Sequence, residues 1–157
     1  MTVLALALVA GCGRDEFDDR TARVALGGRT TTFELDSCGL DGTTAYVVGR
    51  TGDGTVLQAV VGVEDDGTTG VPASTGLTVS ARDADAMGAF GAEAWARRGE
   101  GGEPPGRITS ARIRGSRIQA EGEAVPMDDD GRPLDPPAPA NPVDVSLDAR
   151  CDDPDEG

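Results

Sequence analysis

The side chains equipped for chemistry in this chain are three cysteines, Cys12, Cys38 and Cys151, and three acidic runs, Glu64-Asp65-Asp66, Asp128-Asp129-Asp130 and Asp152-Asp153. Histidine is absent, which excludes a histidine acid/base, a Ser-His-Asp triad and an imidazole metal ligand. The acidic runs offer hard oxygen ligands of the kind calcium takes. Their spacing is not that of an EF-hand loop, because counting back from Gly131 puts Pro126 at the first ligand position. Solvated charge is therefore expected of them, and no metal site is assigned. Paired carboxylates for glycoside hydrolysis would have to rise from strands beside a cleft, whereas these runs sit in turns and a tail. The sequence also has no Gly-x-Ser-x-Gly elbow, P-loop, Cys-x-x-Cys pair or dinucleotide fingerprint. It assigns no catalytic residue and no cofactor, and a non-enzymatic role is expected.

The cysteines say more. Cys38 ends the short strand candidate 30–38, and Cys151 ends the segment 143–151, in which Val143, Val145, Leu147 and Ala149 alternate with Asp144, Ser146, Asp148 and Arg150. That period of two is the mark of a half-buried strand. A Cys38–Cys151 bridge would close nearly the whole folded region into one loop, worth roughly 4–5 kcal/mol in the chain-entropy account.

Between the two cysteines the chain reads as strands joined by turns. Residues 21–26 form a first candidate, followed by the turn pair Gly27-Gly28. In 30–35, Phe33 and Leu35 are the inward pair; Cys38 falls on the opposite parity, so a bulge or the strand's end must turn it inward. Residues 44–50 and 56–63 make the strongest hairpin around Thr51-Gly52-Asp53-Gly54-Thr55. Both arms are almost continuously apolar, which predicts central strands covered on both faces, with Gln58 as the solvent-facing exception. A short strand is expected at 77–81. The spacing of Met87, Phe90, Gly91 and Ala94, with Trp95 on the flank, then predicts a helix over 83–98, opened by Asp83 and closed by Arg97, Arg98 and Gly99. This helix would cover the sheet or line a lipid or peptide groove, with Met87, Phe90 and Trp95 as its candidate ligand contacts. A second hairpin turns at Gly115-Ser116 and sets Ile113 against Ile118, Ala111 against Ala120, Arg112 against Gln119 and Arg114 against Arg117. Arg112, Arg114 and Arg117 make the candidate interaction surface.

These elements predict a mainly β domain over residues 21–151, an antiparallel two-layer sandwich with one covering helix. The alternative is a single antiparallel sheet with the helix on one face. The 38% hydrophobic content suffices for one core, and the 3% aromatic content requires that core to be aliphatic. A net charge of −14 repels nucleic acid and anionic head groups, so general electrostatic binding to either is not expected. The domain is expected to be a monomer.

Upstream, residues 3–10 are an uncharged apolar run too short to span a bilayer as a helix, and Val9-Ala10-Gly11-Cys12 resembles the bacterial lipobox. The resemblance implies that residues 1–11 are the downstream part of a secretory signal whose start lies further upstream. It also implies that Cys12 is diacylated, that residues 12–20 are a flexible tether, and that the domain is held at the extracytoplasmic face of the cell membrane. It leaves Cys38 and Cys151 for each other in an oxidising exterior. Residues 152–157 form an acidic tail.

The layout also resembles a family. Arg117-Ile118-Gln119-Ala120-Glu121-Gly122-Glu123-Ala124, a proline-bearing linker, and the alternating strand into Cys151 are similar to the closing strands of the actinobacterial LpqH-type surface lipoproteins. The resemblance implies an acylated envelope protein with a compact β-rich domain and no enzymatic activity. On this reading it is a structural or protein-interaction module partnered by an envelope protein. A carrier of lipid or a small hydrophobic ligand is the alternative.

Overall fold

Glycine sets the first closure of the chain. Gly27 and Gly28 take φ of 57° and 81°, the pair of positive values that a two-residue turn needs to match the twist of its strands. They join β1 (Thr21–Leu26) to β2 (Arg29–Asp41). Seven more strands follow: β3 (Thr44–Arg50), β4 (Val56–Val63), β5 (Gly70–Ser80), β6 (Ala86–Phe90), β7 (Arg107–Arg114), β8 (Arg117–Met127) and β9 (Val143–Arg150), with α1 (Ala92–Arg97) between β6 and β7. This computed structural model describes residues 20–134 and 142–151; the acylation candidate Cys12, the signal and most of the tether, and the tail 152–157 lie outside the described residues.

The protein is mainly β, and its strands form one ring-like sheet. β1 pairs with β2 along one edge and with β9 along the other, so that Val24 lies opposite both Thr31 and Leu147. The remaining neighbours pair antiparallel in chain order, except that β6 meets β7 in parallel at Phe90 and Arg107 and also pairs with β8. The sheet thus closes as a barrel, and the expected separation into two layers is replaced by closure. A closed sheet pairs most of its strand edges and still presents an inner and an outer face to alternating sequences.

The inner face is filled by Phe33, Leu57, Leu147, Val24, Val47 and Val61, all essentially inaccessible, with alanines packed among them. Phe33 and Leu35 point inward as their alternation predicts. The outer face carries the charges. An apolar interior within a charged exterior is the reverse of a transmembrane barrel.

Three local expectations are borne out in the pairing. A register shift between Leu35 and Ser37 reverses the parity of β2 and brings Cys38 to the core. The Gly115-Ser116 turn, with Gly115 at φ 57°, sets Ile113 opposite Ile118 and Arg114 opposite Arg117. Cys38 and Cys151 are joined, with Cα atoms 5.4 Å apart across a separation of 113 residues, a spacing well inside the disulfide range. The bridge lies beyond Thr21, the first residue of β1. Beyond Thr21, which faces both Glu34 and Arg150, no strand of the described residues lies between β2 and β9, and the disulfide straps their ends together.

Three expectations are corrected. The helix predicted over 83–98 is confined to Ala92–Arg97, and Ala86–Phe90 is a strand. Hydrogen bonding to β5 and β8 fixes 86–90 as extended backbone, and both of its faces are apolar because α1 covers the outer one. The short strand expected at 77–81 runs over Gly70–Ser80. The hairpin β3–β4, expected to be covered on both faces, is covered only on its inner one, and outward-facing Tyr46 and Val60 are exposed. Gln58 faces outward, as the solvent-facing reading requires.

Candidate functional site

Two features of the outer surface stand out: a basic face on the strands that close the ring, and a groove beside α1. The basic face follows from register alone. Arg114 on β7 lies opposite Arg117 on β8, Arg117 opposite Arg150 on β9, and Arg150 opposite Thr21 on β1. In the adjacent outward row, Arg112 faces Gln119, Gln119 faces Asp148, and Asp148 faces Arg23. Five of the 14 arginines of an acidic chain are thereby gathered on four neighbouring strands around one carboxylate.

That carboxylate resolves the like-charge pair across the turn. Arg117 turns away from Arg114 and donates from Nε and Nη2 to the two oxygens of Asp148, at 2.8 and 2.5 Å. Hydrogen bonding to Asp148, reinforced by its negative charge, raises the Arg117 pKa above its ordinary value. The pair is solvent-exposed, so it contributes only about 0.2–1 kcal/mol to stability; its effect is to orient Arg117. No ion pair among the described residues holds Arg112 or Arg114, and both are exposed. The strand fixes the spacing of their backbones, and their guanidinium groups present planar forks of donors to solvent.

The expected ligand trio separates. Met87 packs against the barrel core, whereas Phe90 and Trp95 belong to a small cluster on the outside, with Met127 and Ala86. The Phe90 and Trp95 ring centroids are 5.3 Å apart, and the Arg98 guanidinium caps them, 4.8 Å from the Phe90 centroid. This cluster docks α1 on the barrel. Its tight fit depends on Gly91, where a Cβ would come within 2.0 Å of the Pro72 carbonyl oxygen.

Beside that cluster runs a groove of about 400 Å³ over β3, β4 and β5, bordered by α1. Residue spacing along the chain gave no sign of it, because its floor is assembled from residues paired across strands. The one trace was the nearly continuous apolar character of 44–50 and 56–63.

Two of the acidic runs lie among the described residues and are engaged in turns; Asp152-Asp153 lies outside them. Asp66 accepts from the Thr68 and Thr69 amides and from the Thr69 hydroxyl, which holds its carboxyl at about 2. Asp128 accepts from the amides of Asp130 and Arg132. Among the described residues no three acidic or thiol groups converge as a metal site. No helix among them is long and apolar enough to cross a membrane. No protein-family model matches the chain, and no curated protein matches it.

Proposed function

We propose that this protein is an extracytoplasmic lipoprotein of the LpqH type, anchored in the cell membrane through Cys12, that acts as a protein-interaction module rather than an enzyme. The observation that carries the interaction role is the arginine face formed by β1, β9, β8 and β7, on which Arg112 and Arg114, two residues apart on β7, are exposed and held in no ion pair among the described residues. A basic face on a chain of net charge −14 concentrates attraction for anions in one place and fixes the orientation of a docking partner more than it raises bulk affinity. The partner class is an envelope protein with an acidic segment, matched by bidentate arginine contacts. The disulfide supports the exported location, since such bridges persist in oxidising compartments. The lipobox-like run ending at Cys12 supports the anchor.

The test uses the exported protein in its own envelope. Acyl labelling should be lost with Cys12→Ser, and the protein should leave the membrane fraction. Charge reversal by Arg112→Glu with Arg114→Glu should leave acylation intact and remove chemical cross-links to the partner. Retention of the cross-links after charge reversal would reject the arginine face as the docking surface.

A further inference from the structure

The outward row that crosses β2 to β6 reads Gly39, Tyr46, Val60, Gly76 and Phe90, each opposite the next. The two glycines decide its shape. A Cβ on Gly39 would lie 3.0 Å from the Tyr46 hydroxyl, and one on Gly76 would lie 2.8 Å from Phe90 Cδ1. Tyr46 therefore leans over β2 and Phe90 leans over β5, which leaves Val60 uncovered between them. Tyr46 and Val60 are 37% and 42% exposed, among the most exposed large apolar side chains of the described barrel. On the adjacent row Val48 faces Gln58 and Gln58 faces Thr78, which extends the floor and places one amide in it. Ala94 of α1 forms the far wall.

The border with α1 is cationic. Arg98 is fixed by donating to the Gly131 carbonyl at 3.0 Å and by its position over Phe90. Arg97 comes only to 3.8 Å of Glu93, beyond hydrogen-bond length, and Glu93 also accepts from the Ser74 hydroxyl. The donors of Arg97 are thus open to a stronger acceptor at the mouth of an apolar trough. A volume of about 400 Å³ is that of a small-molecule site, and few polar groups among apolar walls are the usual make-up of one.

We infer that this groove binds a single-chain anionic amphiphile of the fatty-acid class. Its alkyl chain lies along Tyr46, Val60 and Phe90, and its carboxylate meets Arg97 and Arg98 with Gln58 as a further donor. The site is separate from the arginine face on β7–β9, and the inference does not depend on the role proposed for that face.

The probe is dodecanoate below its micellar concentration, titrated calorimetrically into the oxidised, exported protein. Saturable binding at one site is expected, with shifts in the unsubstituted protein centred on the Val60 methyls and the Tyr46 ring. Val60→Glu should weaken binding at least about tenfold, equivalent to losing roughly two buried methylenes. Arg97→Glu should weaken dodecanoate and favour dodecylammonium. The inference is overturned if dodecanoate does not bind, if shifts map elsewhere, or if Val60→Glu binds it equally. Equal affinity for neutral dodecyl maltoside would overturn the assignment of an anionic head group.

Discussion

Replacing both bridging cysteines, Cys38→Ala with Cys151→Ala, removes the strap between the ends of β2 and β9 without leaving a reactive thiol. Chain-entropy reasoning for a closed loop of 113 residues gives about 5 kcal/mol, with measured losses for native bridges of roughly 2–5 kcal/mol. Against a total of about 5–15 kcal/mol for an ordinary domain, this is a large share. The structure adds a local expectation. Among the described residues no strand lies between β2 and β9 beyond Thr21, and that end of the ring is held by the Leu35 amide donating to the Arg20 carbonyl at 2.9 Å, by the bridge, and by the Cys151 amide donating to the Ser116 carbonyl at 2.9 Å. Urea unfolding of the oxidised protein and the double variant should differ by at least about 2 kcal/mol. Hydrogen exchange should accelerate first in β2 beyond Leu35 and in the paired half of β3. A loss under about 1 kcal/mol, or uniform acceleration across all strands, would refute the reasoning that the bridge replaces missing pairing.

Two further outcomes follow from single side chains. Thr75 is fully buried, donates to the Val71 carbonyl at 2.9 Å and accepts from the Gly62 amide at 3.1 Å beside a register shift. Thr75→Val strands both backbone groups and should cost about 1–3 kcal/mol by urea unfolding; a neutral result would show that the bulge rearranges freely. The Asp66 carboxyl, held at about 2 by amide and hydroxyl donors, is depressed relative to an unfolded value of about 3.9. Its contribution to stability is complete above the unfolded value and disappears as pH falls through the folded one. Carbon-detected titration should place the Asp66 midpoint near 2, and a midpoint near 4 would show that the Thr68–Thr69 turn does not hold it.

Much of the strand layout was legible because its determinants are local. Gly27-Gly28 and Gly115-Ser116 fix two hairpins, and the second sets four cross-strand pairs, including Arg114 with Arg117. The parity of Phe33 and Leu35 against Cys38 required the shift found at Asp36. Closure was not legible, since it depends on β1 pairing with β9 across more than a hundred residues, and alternating strands look the same in a sandwich and a barrel. The segment 83–98 misled for a different reason. Phe90 packs outside with Trp95 while Ala89 points inside, so apolar residues on both sides of a strand imitated helical spacing. For the sites, Arg112, Arg114 and Arg117 were found from one hairpin. Arg23 and Arg150 join them through the non-local pairing. The groove was hidden because Tyr46, Val60, Gly76 and Phe90 become neighbours only across four strands.

The recognition role is tested most directly by where the folded protein touches its partner. A photo-cross-linking residue placed at Gln119, between Arg112 and Asp148 on the outer face, should form a discrete adduct with one envelope protein in intact cells. The adduct should fade as ionic strength rises and should be lost on Arg112→Glu with Arg114→Glu. The same residue placed at Thr68, in the β4–β5 turn, should not form it. No adduct from Gln119, or equal adducts from both positions, would contradict the account.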